Sequence, residues 1–338
     1  MKVWQNKKIN YIFLIIVTLI VLYFTLYKDF NNIVDVLLHV NPFWLFYAFV
    51  LIFGYWFFRS LVLKKFTAKF KKGARFANSF QLMMRTQFFN AVTPFATGGQ
   101  PYQVYYLNKE GIKVSSATSI IMQNFIVYQI ALVTLGIIAV ICNFFFHLFP
   151  KNDLLGHLVT LGFIINALIV VVMFLVSFNK KIGEWLMKIG IFVLSKLKLV
   201  KNKEKKIKEW ENSINEFHDG AKILLQNKKD FISGILINFI ALISLYLIPF
   251  AMMLAIGENA FTSYEAIVTS AYIMLLGSFV PMPGGTGGLE YAFIAFYGNF
   301  LTGSKLSALM ILWRFVTYYL GIILGSIALN IKRVKQWE

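Results

Sequence analysis

Long apolar runs constrain this chain more than any other feature: Tyr11–Tyr27, Phe43–Leu63, Ala117–Leu148, Leu154–Phe178, Phe231–Ile256 and Leu306–Ile331. Each is long enough to cross a bilayer, because about 20 mostly apolar helical residues span the hydrocarbon, the longer ones with tilt. In that solvent every backbone N–H and C=O has to be satisfied within the chain, so runs of this length read as helices. Of the 338 residues 58% are hydrophobic and only 14% charged, too apolar for a soluble globule. The whole chain, 1–338, therefore reads as a single all-α polytopic membrane domain. Met1–Lys8 followed by Ile9–Tyr27 is basic then apolar, like a signal peptide, but no small-residue cleavage site follows. The first run is expected to stay as a span.

The formal net charge of +18 is gathered between the apolar runs, which speaks against nucleic acid as partner and for cytoplasmic loops. Lys64, Lys65, Lys69, Lys71, Lys72 and Arg75 follow the second run, and the Asn179–Asp230 loop is rich in lysine. Both are placed inside. The connections near Asp29–Asp35, Lys151–Asp153 and Glu258 carry little positive charge and are placed outside, while the Lys332-Arg333-Lys335 tail falls inside. The expected protein lies in the cytoplasmic membrane with six transmembrane helices and both termini cytoplasmic. Cys142 is a lone cysteine, and His39, His147, His157 and His218 are scattered, so no metal site and no cofactor is expected.

Phe76–Lys113 and Thr262–Ser304 are apolar enough to enter the bilayer, yet Pro and Gly break each in the middle. Counted as single crossings they violate the charge rule; counted as re-entrant hairpins, one opening from each face, they keep every basic loop inside. Residues 43–148 and 231–331 then form two repeat units, inverted with respect to the membrane. The 179–230 loop lies between them, with Ile207, Trp210, Ile214, Phe217, Ala221 and Leu224 spaced as one face of an amphipathic helix. That helix either grips anionic headgroups or packs under the bundle with a solvated lysine face. Ile182–Val200, with Trp185 and Lys188, reads as interfacial.

The two breaks match. Pro94-Phe95-Ala96-Thr97-Gly98-Gly99-Gln100-Pro101-Tyr102 and Pro283-Gly284-Gly285-Thr286-Gly287-Gly288-Leu289-Glu290-Tyr291 both read P-x-x-T-G-G-x-x-Y. Asn124–Tyr128 and Arg314–Tyr318 extend the match weakly into the following span. Inverted repeats with broken helices at mid-depth are a transporter arrangement. Gly admits close backbone approach and Pro ends a helix, so the motif leaves amides at mid-depth that need a partner. Pro101 suits the first turn of a new half-helix, and Thr97 or Thr286 is placed to cap one, so each hairpin can aim a positive helix N-terminus at an anion such as phosphate. The plainer alternative is that the glycines only allow tight helix packing.

Charges inside apolar regions mark function by default. Arg85 lies on the first arm of the first hairpin, Glu290 just past the second glycine pair, and Arg314 inside the last span. Glu290 and Arg314 are expected either to pair with each other or to touch substrate; Arg85 is expected to contact a headgroup. The candidate substrate-binding set is Arg85, Asn90, Thr93, Pro94, Thr97, Gly98, Gly99, Gln100, Pro283, Gly284, Gly285, Thr286, Gly287, Gly288, Glu290, Arg314 and Tyr318, with no catalytic residue.

Asn90-Ala91-Val92-Thr93-Pro94 through Gly98-Gly99-Gln100-Pro101, then Pro281-Met282-Pro283-Gly284-Gly285-Thr286-Gly287-Gly288-Leu289-Glu290, then Arg314 resemble the lysylphosphatidylglycerol synthetase/flippase-like transmembrane family, the membrane half of the MprF proteins. The resemblance covers nearly the whole chain. It implies movement of a phospholipid, typically an aminoacylated phosphatidylglycerol, between leaflets, and a link to resistance against cationic peptides. Full-length members carry a C-terminal aminoacyl-transferase domain using charged tRNA, whereas this chain stops at Glu338 and is expected to work without that chemistry. Some relatives are linked to glycosyl transfer onto lipid carriers. The expected task is flipping of an anionic or aminoacylated phosphatidylglycerol-type lipid. Its rivals are a membrane-embedded lipid-modifying transferase with Glu290 as general base, and a partner subunit docking such an enzyme. A homo-oligomer is also compatible with the sequence.

Overall fold

The computed structural model describes residues 30–149, 153–196, 203–277 and 284–331. The first expected span, Pro281 to Pro283 and the basic tail lie outside the described residues. Within them the chain is helical, with no strand. We number the helices α1 (Phe30–Leu38), α2 (Pro42–Thr67), α3 (Phe76–Ala91), α4 (Gly99–Lys109), α5 (Val114–Phe146), α6 (Asp153–Phe178), α7 (Lys180–Lys196), α8 (Lys203–Gln226), α9 (Lys228–Tyr246), α10 (Ile248–Ala255), α11 (Ser263–Gly277), α12 (Gly288–Tyr297), α13 (Gly303–Arg314) and α14 (Leu320–Asn330).

Among the described residues four helical rods are long and apolar enough to cross a membrane: Pro42–Thr67, Val114–Phe146, Lys228–Ala255 and Gly303–Asn330. Two of them are interrupted. Pro249 has no N–H and crowds the preceding turn, and Leu247 separates α9 from α10. A π-helical turn, Phe315–Tyr319, joins α13 to α14. The expected span Leu154–Phe178 is helix α6, in which Thr160–Val172 is the apolar stretch.

The frame is α2 laid antiparallel along α9 and α10. At one end the Asn41 amide donates to Ala255 O at 2.7 Å, and the Asn41 side chain caps α2 by accepting from Phe43 N. Midway, Gly54 faces Ser244, and Arg59 Nη1 donates to Asn238 Oδ1 at 2.8 Å. At the other end Lys65 and Lys69 clasp Asp230 at 3.0 and 2.8 Å. Within the bundle α2 buries Ala48, Ile52, Trp56 and Leu63, Trp56 lying against Gly321 of α14, while Phe43, Phe46, Phe53 and Phe57 point outward. Apolar side chains on an outer surface suit a lipid solvent.

Two helix pairs fold back on themselves. α3 and α4 are antiparallel: Phe89 stacks on Tyr102 at 4.1 Å, and the Arg85 guanidinium sits 5.2 Å from the Tyr106 ring. α11 and α12 repeat the arrangement, with the Tyr297 hydroxyl donating to Ala266 O at 3.2 Å and Leu289 lying against Gly277. They open at opposite ends of α2. Lys71, just past the end of α2, donates to Glu110 O at the mouth of α3/α4. At the start of α2, Phe261 packs on Tyr297 and Phe300 at the mouth of α11/α12, and Glu258 pairs with Lys305.

α14 packs along α3 at close range. A Cβ on Gly325 would lie 2.8 Å from Met84 O and 2.9 Å from Phe88 N, whereas one on Gly321 would meet the Gln87 side chain at 3.4 Å. Small residues let membrane helices approach to this distance. Gly325→Ala is therefore expected to force α3 and α14 apart and cost about 1–3 kcal/mol, while Gly321→Ala stays near neutral. Thermal unfolding of the purified variants measures the difference; equal midpoints would refute the close contact.

Candidate functional site

The tips of the two hairpins share a backbone shape as well as a motif. Phe95 and Ala96 have φ of 54° and 52°, and the positions that match them, Gly284 and Gly285, have φ of 61° and 66°. Left-handed backbone is natural for glycine and strained for Phe and Ala, and strain of this kind gathers at functional sites. After these two residues the copies diverge. Gly98 is right-handed with φ of −73°, and its counterpart Gly287 has φ of 88°.

In the first tip, side chains at the end of α3 and just past it hold the start of α4. Thr93 Oγ1 accepts from Gly98 N at 2.8 Å while donating to Phe89 O, and Asn90 Oδ1 accepts from Gly99 N at 3.0 Å. Any Cβ on Gly99 would fall 2.1 Å from Asn90 Oδ1, so both glycines are needed for space. The amides that the motif leaves at the helix start are thus taken by Asn90 and Thr93. Thr97 does not cap them; its hydroxyl donates back to Pro94 O at 2.9 Å. Phe95, Ala96 and Thr97 are exposed, and Pro94 and Gln100 half-buried.

The second tip is built around an ion pair. Arg314 Nε donates to Glu290 Oε1 at 2.6 Å, with both side chains 6% exposed. Glu290 Oε2 accepts from Gly287 N at 2.7 Å, and Arg314 Nη1 donates to Gly284 O at 3.2 Å. The pair therefore fixes the backbone on both sides of the buried Thr286, just before Gly288 starts α12. Glu290 has each oxygen occupied, which suits it to holding the turn and not to serving as a free base. Arg314 Nη2 is buried and has no acceptor among the described residues.

Tyr318, on the π-helical turn, joins the two tips. Its ring lies so close under Gly284 that a Cβ there would be 2.0 Å from Cε2, and its hydroxyl donates to Ala91 O, the last residue of α3, at 3.2 Å. The Arg314 guanidinium sits 5.2 Å from the same ring. A π turn displaces the helix face that follows it, and such turns recur at functional sites. Gly284, Gly285, Thr286, Gly287, Glu290, Arg314 and Tyr318 thus form one cluster that touches the end of α3.

Arg85 stands apart from it. Nε donates to Ala328 O at 2.9 Å and Nη2 to Ile331 O at 3.0 Å, so the cation closes the C-terminal end of α14, where carbonyls lack helical partners. Pro283 lies outside the described residues. A further intramembrane cation, Arg59, escaped the sequence reading although it interrupts the second apolar run. Its guanidinium lies 4.0 Å from the Tyr128 ring and bonds Asn238. Among the described residues no three His, Cys, Asp or Glu gather as metal ligands.

A buried pair of this kind makes a specific mutational signature, because removing one partner strands the other charge at a cost of about 3–5 kcal/mol. Glu290→Gln and Arg314→Gln are each expected to lower the thermal midpoint strongly, and the double variant to recover part of the loss. Additive losses in that cycle would show the two side chains to be energetically independent.

Comparison with known proteins places the chain among membrane proteins. The chain is 25% identical over 295 residues to a UPF0104 membrane protein of Archaeoglobus fulgidus, covering 85% of this chain and 86% of that one. It is 26% identical over 340 residues to a UPF0104 membrane protein of Methanocaldococcus jannaschii, covering 95% and 94%. No solved structure matches. Residues 11–325 match the family described as the lysylphosphatidylglycerol synthase TM region, and so this multi-pass membrane protein belongs to that family.

Proposed function

We propose that the chain moves the polar head of a phospholipid, of the anionic or aminoacylated phosphatidylglycerol type, from one leaflet of the cytoplasmic membrane to the other. The observation that carries this reading is the meeting of two hairpins, open at opposite ends of α2, at a single polar cluster where Tyr318 touches Ala91 on one side and Gly284 on the other. Each hairpin gives a route from one face toward the same point. Among the described residues one hydrogen bond and one ring contact hold the tips together, and their exchange for contacts to a headgroup would let one hairpin open while the other stays shut.

The proposed topology has six spans, the two hairpins as re-entrant elements, and both termini in the cytoplasm. Residues 43–148 and 231–331 are the inverted units, and the basic 179–230 loop lies inside. Arg314 Nη2, buried and without an acceptor among the described residues, is the donor best placed to meet a phosphate oxygen. Gln100, beside the Asn90 and Thr93 caps, lies on the path through the first tip.

Reconstituted protein is expected to speed exchange of a fluorescent phosphatidylglycerol between liposome leaflets with no tRNA or sugar donor. Tyr318→Phe, which keeps the ring and loses the bond to Ala91, should slow exchange several-fold while the protein stays folded. A folded preparation that moves no lipid but modifies one covalently would replace this reading with a transferase. With Cys142→Ser as background, a cysteine beside Gly111 should label from the cytoplasm and one beside Gly303 from outside. Labelling of both from one side would end the inverted arrangement.

A further inference from the structure

We infer that α7 is a membrane-surface helix whose exposed face binds the anionic leaflet next to it. The claim rests on the proposed topology only for which leaflet this is. α7 has two opposite faces. One carries Gly183, Met187, Gly190 and Ile191: Met187 and Ile191 are buried, and the glycines lie against Ile214 and Trp210 of α8 so closely that a Cβ would come within 2.9 and 2.8 Å of them. That face is closed by the protein itself. α8 is in turn tied to α6, with His218 Nδ1 3.1 Å from Val176 O.

The other face carries Lys181, Trp185, Lys188 and Phe192, a single stripe at steps of four, three and four, with Ile189 beside it. Trp185 is 60% exposed, Ile189 42% and Phe192 66%, and both lysines are exposed. A soluble surface seldom presents two large aromatics and an isoleucine together. Nor can α7 cross the bilayer, since Lys180, Lys181, Glu184 and Lys188 fall within its first nine residues.

The composition of the stripe decides the occupant. Trp at a lipid–water boundary places its ring among the headgroups, Phe and Ile reach the first acyl carbons, and lysines on the same face extend toward phosphates. A protein partner of ordinary interface chemistry would place few lysines here, because lysine is depleted from interface cores. An anionic leaflet supplies the complement to both lysines and all three apolar side chains at once, and each lysine near such a surface is worth about fivefold in partition. α8, packed behind, acts as the splint that keeps the stripe facing outward.

The test uses the full chain with Cys142→Ser, in nanodiscs, carrying a fluorescent label at Trp185→Cys, at Phe192→Cys, or at Glu211→Cys on α8 as a solvent-exposed control. With phosphatidylglycerol present, labels at 185 and 192 should be quenched by nitroxide on shallow acyl carbons and shielded from aqueous iodide, with the reverse at 211. Replacing phosphatidylglycerol by phosphatidylcholine, or introducing Lys181→Gln with Lys188→Gln, should raise iodide access at 185 and 192 by about twofold. Iodide access equal to the control, or shielding that depends on protein concentration and so on a second copy, would overturn the inference. Lipid quenching indifferent to headgroup charge and to the lysine variants would overturn the anionic assignment. None of these readouts depends on lipid transport.

Discussion

Lipid offers no hydrogen bonds, and much of this structure follows from that constraint. A helix broken inside the bundle exposes amides and carbonyls that only the protein can satisfy. The two hairpin breaks are answered by side chains from nearby in sequence or from the last rod: Asn90 and Thr93 for the start of α4, Glu290 for Gly287, Arg314 for Gly284 O, and Tyr318 for Ala91 O. The polar residues at depth are therefore first of all the means by which broken helices remain possible. Substrate contact, on the proposed function, has to be obtained by exchanging some of these bonds. The groups that already donate to backbone carbonyls, Arg314 and Tyr318, are well matched to the oxygens of a headgroup, since both ask for the same donors.

The two hairpins share shape without being equivalent. Glycine supplies the left-handed pair in the second tip, and Phe95 and Ala96 accept it in the first, where the usual penalty for a Cβ in that region is about 1–2 kcal/mol per residue. The second tip is buried around an ion pair, while Phe95, Ala96 and Thr97 stand exposed. On the proposed function, one sealed and one open tip is the asymmetry that a single conformation of an alternating device must show. In such a device the two tips exchange roles, and the strain at Phe95 and Ala96 raises the energy of the open tip relative to a relaxed turn.

Much of this was legible in the sequence. Apolar runs marked the rods, and the paired P-x-x-T-G-G motif marked both tips and paired the positions whose backbone shapes agree. Glu290 and Arg314 could be picked out as charges too costly to leave alone, and they are partners. Arg85 could not be placed the same way. Its acceptors are the carbonyls of Ala328 and Ile331, and backbone carbonyls carry no residue-specific signal. The caps from Asn90 and Thr93 were hidden because they depend on how tightly the hairpin closes, which Thr97, the nearer hydroxyl in sequence, does not reveal. The π turn at Phe315–Tyr319 leaves no trace in composition, although it sets where Tyr318 points. Arg59 was legible and overlooked: one charge in a run of aromatics stands out less than a broken run does.

The distribution of these bonds also says which parts can move. α2 is fastened to α9 and α10 along its length, by Asn41 at one end, Arg59 in the middle and Asp230 at the other. To shift α2 would break an ion-pair clasp and a charged hydrogen bond together. Among the described residues the tips are joined across the centre by far less, the Tyr318 hydroxyl on Ala91 and the packing of its ring under Gly284. A hydrogen bond of this kind contributes about 1 kcal/mol net, within reach of a ligand's differential affinity for two states. On the proposed function, rearrangement should therefore concentrate in the hairpins, with the α2, α9 and α10 frame as the fixed reference.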